Sequence, residues 1–494
     1  MFPNDRLLIR WDVGQAVTFD VLPDDILLAI FDFCVVSYQD LDIFFVIHGG
    51  DQSKSKIESW QSLVHVCRRW RSLIFESPRR LNLQLYCDPE RSARKSLDVW
   101  PAFPLIIRGD IDETSIDIAL AELEHNDRIC QITLDLYTSS QVENLWTALQ
   151  VPFPELLHLY LSFPGMSFVP VLPNSFLGGS APHLQSFALN YIPFPGLQRL
   201  LLSATQLTYL YLINIPHSGY ISPEAMATCL TALTNLERLQ LQFDSPQSCP
   251  DQGYRRSPLP TPSVLPALTF FLFKGVYEYL EDLVARIDTP RLCQLSARFF
   301  NNIDFNTPEL IRFVSRSSRF EALKGAKVSF GSQTASVELE PQASYTHFFR
   351  VTVLCRVPNV QLASLAQICT TSTPLLSTTE NLFINEQFGS QLDWKDDIQY
   401  IGWLELLLPF TAVKNLYLSK QFAPRVAPVL QEMTVGGTTE VFPNLQNLYV
   451  EGFQPSESVE QGIERFISAR QLADHPVAVL DWDRLGVGRV GKGR

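Results

Sequence analysis

The side chains able to do chemistry are scattered along this chain rather than clustered. Eight histidines stand at positions 48, 65, 125, 158, 183, 217, 347 and 475, with no His-Glu-x-x-His and no Cys/His group at ligand spacing. A metal centre needs several such donors converging. Nine cysteines include no C-x-x-C pair, and Cys67, Cys130, Cys229 and Cys355 fall inside apolar periodic segments, where a thiol serves as a small core residue. Gly486, Gly491 and Lys492 approach a phosphate-binding loop, but Gly493 follows in place of Ser or Thr and no helix comes after to supply N–H groups. Residues 484–494 therefore read as a basic tail. Asp393, Asp396 and Asp397 form a dense carboxylate group. Paired carboxylates can hydrolyse glycosides, yet this group lies in a polar, loop-like stretch and reads as a solvated loop or helix cap. No G-x-S-x-G occurs, and no nucleophile comes with its base. The expectation is a chain with no catalytic residues, no metal and no cofactor.

Composition narrows the class further. The chain has 494 residues, 46% hydrophobic and 18% charged, which is globular and too long for one ordinary domain. Its 33 prolines exceed its 23 glycines, suiting many short, interrupted elements better than long helices. Net charge is −13, unevenly spread: residues 1–52 carry nine acids against two bases, and residues 53–100 ten bases against five acids. An acidic whole argues against nucleic-acid binding, which needs clustered Lys and Arg. The basic stretch Arg68, Arg69, Arg71, Arg79 and Arg80 coincides with an amphipathic helix pattern containing Trp70 and reads as a solvated helix face. No N-x-[ST] sequon, signal-like start or apolar run of membrane-spanning length is present. The expected setting is reducing, cytoplasmic or nuclear, with no membrane partner.

Near the N-terminus, VLPDDILLAIFDFC begins at Val21. Pro23 and the acids Asp24 and Asp25 mark a helix start, and Ile26, Leu27, Ile30 and Phe31 recur at helical spacing. A second helical pattern, WQSLVHVCRRWRSLIFESP, runs from Trp60 with Leu63, Val64, Cys67, Trp70, Leu73 and Ile74 in period. Two such short helices must pack on something else to bury their apolar stripes. The pairing of these segments resembles the F-box, in the form found in F-box and repeat proteins of mushroom-forming fungi. The resemblance covers residues 21–87, with an inserted segment at 37–59 (including Leu41, Ile43 and Phe44) where a compact F-box has a short connection. It implies docking onto a Skp-family adaptor, and through it onto a cullin, by Leu22, Pro23, Ile26, Ile30, Leu63, Val66, Cys67 and Trp70. A helical hairpin that merely caps a repeat array is the plainer alternative.

Past residue 100 one phrase keeps returning: apolar, two residues, apolar, one residue, apolar. It appears at Ile129-x-x-Ile132-x-Leu134, Leu156-x-x-Leu159-x-Leu161, Leu184-x-x-Phe187-x-Leu189, Leu207-x-x-Leu210-x-Leu212, Leu236-x-x-Leu239-x-Leu241 and Leu268-x-x-Phe271-x-Phe273. Weaker copies end at Ala297, Val328, Val353 and Ile384, and clearer ones at Leu418 and Val450. From Leu134 to Val450 there are 316 residues in eleven intervals, a mean near 29, which lies at the long end of the leucine-rich-repeat range. LNLQLYC from Leu81 and PLIIRG from Pro104 read as the first strands. Helix patterns fall between copies at Gln141–Leu149, Pro223–Leu233, Tyr279–Ile287, Pro308–Ser315, Val360–Cys369 and Ser458–Leu472, which favours this architecture over a β-helix.

The expected fold class is thus α/β. Residues 1–20 form an N-terminal segment and 21–87 a small helical F-box. Residues 88–483 form a leucine-rich-repeat solenoid, with parallel strands on the concave face and helices or loops on the convex face. In each strand the residues between the apolar ones point to the concave face. These are His158 and Tyr160, Tyr209 and Tyr211, Arg238 and Gln240, Asn415 and Tyr417, and Asn447 and Tyr449, an aromatic, weakly charged set suited to binding an unidentified target protein. The resulting expectation is a non-catalytic substrate receptor of an SCF-type cullin-RING ubiquitin ligase. The alternative is a repeat scaffold for protein interaction with no link to ubiquitin.

Overall fold

The computed structural model describes residues 22–34, 60–78, 80–81, 83–87, 102–138, 142–164, 171–248, 262–300, 307–317, 319–320, 323–340, 347–387, 400–435, 441–452, 457–472 and 475–482, with the short pairs 9–10 and 16–17. The inserted segment 37–59, Asp393, Asp396 and Asp397, and the tail 484–494 lie outside the described residues. The chain divides into two compact units, one comprising Met1–Phe168 with Ser175–Ala181 and the other Val169–Asn174 with Pro182–Arg494.

In the first unit, helix α1 (Asp24–Cys34) starts behind Pro23 with two acids in its first turn. Helix α2 (Trp60–Val64) leads into α3 (Arg68–Glu76), whose N-cap is Cys67, its Sγ accepting from the Trp70 N–H at 3.4 Å. Cys67 is half-buried as a cap rather than a core thiol, because a sulfur that reaches its own helix N-terminus cannot point into the interior. Leu27, Leu28, Phe31, Trp60, Val64 and Ile74 are buried. Phe31 meets Trp70 edge-on at 4.7 Å, and Arg69 bridges to Asp24 at 2.6 Å. Four parallel strands follow: β1 (Leu85–Cys87), β2 (Leu105–Ile111), β3 (Ile129–Leu136) and β4 (His158–Ser162), paired in chain order. Helices α4 (Ile116–Leu123) and α5 (Val142–Ala148) make the crossovers. Asp112 forms the turn into α4, and hydrogen bonds from Thr114 and Ser115 hold its carboxyl down at about 2.

Trp60 joins the helices to the strands. Its Nε1 donates to the Gln84 carbonyl at 3.0 Å and its ring meets Phe103 at 5.2 Å. Phe103 also contacts Phe75 of α3, at 5.8 Å. The three helices and the first strands of this unit thus share one apolar core.

The second unit alternates strand and helix: β5 (Ser186–Asn190), α6 (Leu197–Ser203), β6 (Tyr209–Ile215), α7 (Pro223–Ala232), β7 (Arg238–Phe243), β8 (Phe270–Gly275), α8 (Tyr277–Arg286), β9 (Gln294–Phe300) and α9 (Pro308–Ser315). Then come β10 (Gly325–Phe330), β11 (Thr334–Glu340), β12 (Phe348–Leu354), α10 (Pro358–Thr371), β13 (Asn381–Glu386), α11 (Tyr400–Leu407), β14 (Asn415–Leu418), α12 (Ala423–Val435), β15 (Asn447–Glu451), α13 (Glu457–Leu472) and β16 (Ala478–Trp482). Leucine-rich periodicity fixes the inward set: Leu210, Leu239, Phe271 and Leu295 lie in register across β6–β9, as do Leu212, Leu241, Phe273 and Ala297. Nearly all are fully buried, and each such side chain contributes roughly 1.5–3 kcal/mol of transfer free energy. One backbone step repeats between copies. The Gln185 carbonyl accepts from Thr208 and Tyr209, Thr208 from Glu237 and Arg238, Glu237 from Thr269 and Phe270, and Thr269 from Cys293 and Gln294. The same step resumes at Lys324, Glu380 and Lys414. This is a mixed α/β repeat architecture with a large, mainly parallel sheet and many helices.

The expected uniform parallel array is corrected in the middle of this unit. Strand order there is β9-β12-β11-β10-β13. Gly331, Ser332 and Gln333 form a tight hairpin after β10, closed by Gly331 N–H to the Thr334 carbonyl at 2.7 Å. A tight hairpin permits only antiparallel pairing, so β11 runs against both its neighbours. Ala297 therefore aligns with Val351 rather than Val328, and Val328 aligns with Ile384. Buried Gln361, at the start of α10, ties this hairpin down: its Nε2 donates to the Gly331 carbonyl at 2.8 Å and to the Cys355 carbonyl at 2.7 Å.

Candidate functional site

The eight residues assigned to adaptor docking belong to the helices of the first unit and the turns beside them, and Trp70 among them packs its ring against buried Phe31. Pro23, Ile26 and Val66 are exposed, and Leu22, Ile30, Leu63, Cys67 and Trp70 are half-buried. Helix geometry sets this division in α1: Leu27, Leu28 and Phe31 lie on the side facing the core of the unit, and Ile26, Ile30 and Phe33, at i, i+4 and i+7, lie on another. Ile26 is 45% exposed, Val66 59% and Phe33 92%. Phe33 falls seven residues after Ile26 and so continues the outer stripe of α1 through Ile30. The motif did not single it out, although i, i+4, i+7 spacing from Ile26 was available in the sequence.

On the strands of the first unit, the face away from the helices is closed. Tyr160 is buried, not exposed as expected, and so are Gln131, Thr133 and Ser162 around it. Strands about 4.8 Å apart let a large ring lie over the short side chains beside it. The Tyr160 hydroxyl reaches Asp135 Oδ1 at 3.4 Å, and Gln131 Nε2 donates to Thr133 Oγ1 at 3.0 Å. His158 is half-buried, and burial pushes its imidazole down from 6.5 to about 4. It is therefore neutral at pH 7 and suited to packing rather than to a charged contact. Because the unfolded chain takes up this proton and the folded one resists it, stability is lost as pH falls from about 6.5 towards 4. The expected loss is roughly 2 kcal/mol. Thermal melts between pH 7 and 4.5 should show it as a difference between the native chain and His158→Gln. That comparison matters because Asp135, whose carboxyl burial pushes up, titrates with the opposite slope. Parallel curves for the two proteins would rule out the His158 assignment.

In the second unit, Tyr209, Arg238 and Gln240 are half-buried on the face away from the helices. The Arg238 guanidinium lies over the Phe270 ring at 4.5 Å, and Tyr209 stacks towards Tyr211 at 6.4 Å. Tyr211 is only 1% exposed, a correction with the same cause as Tyr160: Ala188 beside it on β5 leaves space for the ring to lie down. Farther along, Phe383, Tyr417 and Tyr449 stack in register at 4.2 and 4.3 Å, and Trp482 meets Tyr417 edge-on at 5.5 Å. Asn415 and Asn447 are committed to the sheet. Asn415 Nδ2 donates to Asn381 Oδ1 at 2.7 Å, and Asn447 Nδ2 to Asn415 Oδ1 at 2.8 Å. Asn415, Tyr417, Asn447 and Tyr449 are all half-buried, but the asparagine amides are spent on one another along the sheet. Phe383 and Trp482 extend the aromatic row and were missed: the strand of Phe383 carries a weaker copy of the phrase, and no copy was read at the strand of Trp482.

Beside this row, at the antiparallel insertion, lies a depression of about 550 Å³ lined by Arg298, Lys327, Ser336, Glu338, Arg350 and Thr352 among others. That volume is in the range of ligand-binding clefts. Arg350 is held by Glu338 at 2.6 Å, Ser329 Oγ donates to Asn385 Oδ1 at 2.8 Å, and Thr334 Oγ1 to Gln387 Oε1 at 2.8 Å. Arg298 and Arg350 stand 52 positions apart and meet only because β12 rather than β10 pairs with β9.

Cys130 and Cys229 serve as small core residues. Burial pushes Cys130 up to about 12 and Cys229 up to about 11. Among the described residues no group of three His, Cys, Asp or Glu side chains converges as metal ligands, and no helix is long and apolar enough to cross a membrane. Two surface features stand out: an apolar helical stripe in one unit, and an aromatic row with a polar depression in the other.

No family model matches the chain, and no curated protein matches it. Among solved structures, the leucine-rich repeat-containing protein LegL7 from Legionella pneumophila is similar at 11% identity, covering 67% of this chain and 95% of that one, with a TM-score of 0.28. So low a score adds nothing to the strand register and helix placement above, on which the repeat architecture of this chain rests.

Proposed function

We propose that the chain is a non-catalytic substrate receptor of an SCF-type ubiquitin ligase, its N-terminal helices engaging a Skp-family adaptor and its strand face a target protein. One observation carries the reading. Helix α1 is apolar on two sides, with Leu27, Leu28 and Phe31 spent on the core and Ile26, Ile30 and Phe33 left outward. A helix that only capped a repeat array would need one apolar side. A second apolar stripe, in line with the Leu-Pro start and the Val66-Cys67-x-x-Trp70 segment, suits a docking partner. Function is then proximity: other subunits transfer ubiquitin, and this chain raises the local concentration of acceptor lysines.

The interaction scaffold without ubiquitin is the second reading, favoured by the seating of Trp60 against Phe103 and Gln84. Co-expression with a Skp-family adaptor followed by size-exclusion chromatography separates the two. The receptor reading expects a one-to-one complex, weakened at least about 100-fold when Leu22, Pro23 and Ile26 become Glu, Ala and Glu together. The melting temperature should hold, since none of the three is buried. A folded chain that elutes alone in the presence of adaptor would leave the scaffold.

A further inference from the structure

The basic run of α3 is engaged with the other helices of its unit. By its pattern, the stretch Arg68, Arg69, Arg71, Arg79 and Arg80 reads as a solvated helix face; Arg79 lies outside the described residues. Three of the other guanidiniums donate to acceptors on the docking elements. Arg69 Nη2 donates to the Leu22 carbonyl at 2.5 Å and to Asp24 Oδ1 at 2.6 Å, and its Nε donates to the same Oδ1 at 3.1 Å. Arg71 Nε donates to the Val64 carbonyl, the last of α2, at 3.0 Å. Arg80 Nη2 donates to the Asp25 carbonyl at 3.4 Å. Arg68 is exposed and makes no such bond to α1 among the described residues.

Arg69 differs from the rest because its two acceptors flank Pro23. It joins them to α3 across 47 and 45 positions of sequence, so the join is tertiary. Burial of Leu27, Leu28 and Phe31 holds α1 against the unit, but apolar burial is non-directional and leaves the angle of the helix loosely set. The ring contact between Phe31 and Trp70 acts at one end. Asp24 lies seven residues back along α1, roughly 10 Å at the helical rise. A contact at Phe31 and a forked donor at Asp24 together fix the angle of α1 on α3. They thereby fix where Leu22 and Pro23 stand relative to Leu63, Val66 and Cys67. The planar guanidinium sets direction as well as distance, which an ammonium does not. An exposed ion pair adds little stability by itself, and these side chains are 35% and 63% exposed. The effect of Arg69 therefore belongs in geometry rather than in the melt.

We propose that Arg69 is a positioning residue for adaptor docking, holding the Leu22-Pro23 turn on α3 so that both halves of the docking set meet one partner surface. This rests on the adaptor half of the proposed function.

The test measures binding of the full chain to a Skp-family adaptor for the native protein, Arg69→Ala, Arg69→Lys and Arg68→Ala. Hydrogen exchange is followed on the same proteins without adaptor. Arg69→Ala should weaken the complex about tenfold, the loss of one charged donor. Arg69→Lys should recover part of that loss, and Arg68→Ala should bind as the native chain does. Without adaptor, Arg69→Ala should speed exchange at Leu27, whose N–H donates to the Pro23 carbonyl at 3.0 Å, while amides around Ile74 keep their protection. The melting temperature should hold. Undiminished binding by Arg69→Ala overturns the proposal, and so does an equal loss in Arg68→Ala, which would make the run a charged contact with the adaptor. Unchanged exchange at Leu27 overturns it too, since Arg69 would then act on the adaptor directly. If the native chain forms no complex, the adaptor reading falls and this one with it. If the complex forms and only the Arg69 results fail, the adaptor reading stands without this clamp.

Discussion

Replacing Arg286 by alanine is expected to destabilise the second unit by about 1–3 kcal/mol, the cost of leaving partly buried charged acceptors without their donor. The Arg286 side chain is only 8% exposed, and its Nη2 donates to Asp282 and to Glu224, both at 2.9 Å. It closes an i, i+4 pair on α8 and ties that helix to α7. Without the guanidinium, two carboxylates face each other with part of their solvation removed, and burial already pushes the Asp282 carboxyl above its usual range. Urea denaturation should therefore show a lower midpoint at pH 7. Part of the loss should return as pH falls, because a carboxyl that burial pushes up takes its proton sooner than an exposed one. Arg286→Met combined with Asp282→Leu and Glu224→Gln should recover most of it, because removing all the charges leaves nothing unpaired. A loss under about 1 kcal/mol in the single variant would mean that the network is solvated and carries no structural weight.

Trp60→Ala is the second large effect, at about 3–5 kcal/mol for removing a fully buried tryptophan. The ring fills the space between α2 and Phe103, and the indole N–H satisfies the Gln84 carbonyl. Its removal leaves both a cavity and an unmet acceptor. Hydrogen exchange should accelerate in α2, α3 and the amides around Leu85, while the helices of the second unit keep their protection. The contrast with the Leu22, Pro23 and Ile26 variant is informative. Those residues face outward and should change binding without changing the melt, whereas Trp60 should do the reverse. If Trp60→Ala leaves exchange in α2 and α3 unaltered, the helices do not share a core with the first strands.

Much of the fold was legible because its signals are local. The helix expected over Pro308–Ser315 has those bounds, and the one over Pro223–Leu233 ends one residue early. In both cases Pro at the first turn and a 3.6-residue apolar period act within the segment itself. The repeated Leu phrase located nearly every parallel strand by the same logic, its first Leu sitting two residues ahead of the strand. Helices α4, α6, α11 and α12 were missed. The Tyr400–Leu407 helix is apolar almost all round, so it shows no amphipathic period, and Ala423–Val435 carries Pro428 inside it, which reads locally as a break.

The sequence by itself determined the repeat period, the inward-facing leucines and the apolar helix near the N-terminus, since each depends on neighbours within a few residues. Only the tertiary structure decided which strand lies beside which. The spacing of the weaker copies looks as regular at Val328 and Val353 as elsewhere, yet a three-residue hairpin reverses one strand and exchanges the partners of β9 and β13. That non-local pairing brings Arg298 beside Arg350 and opens the polar depression. It also decided exposure. A tyrosine at an outward strand position is free or buried according to the size of the residue one strand away, as Ala188 beside Tyr211 shows. Such a neighbour lies some 20 to 30 residues off in sequence, beyond the reach of any local pattern.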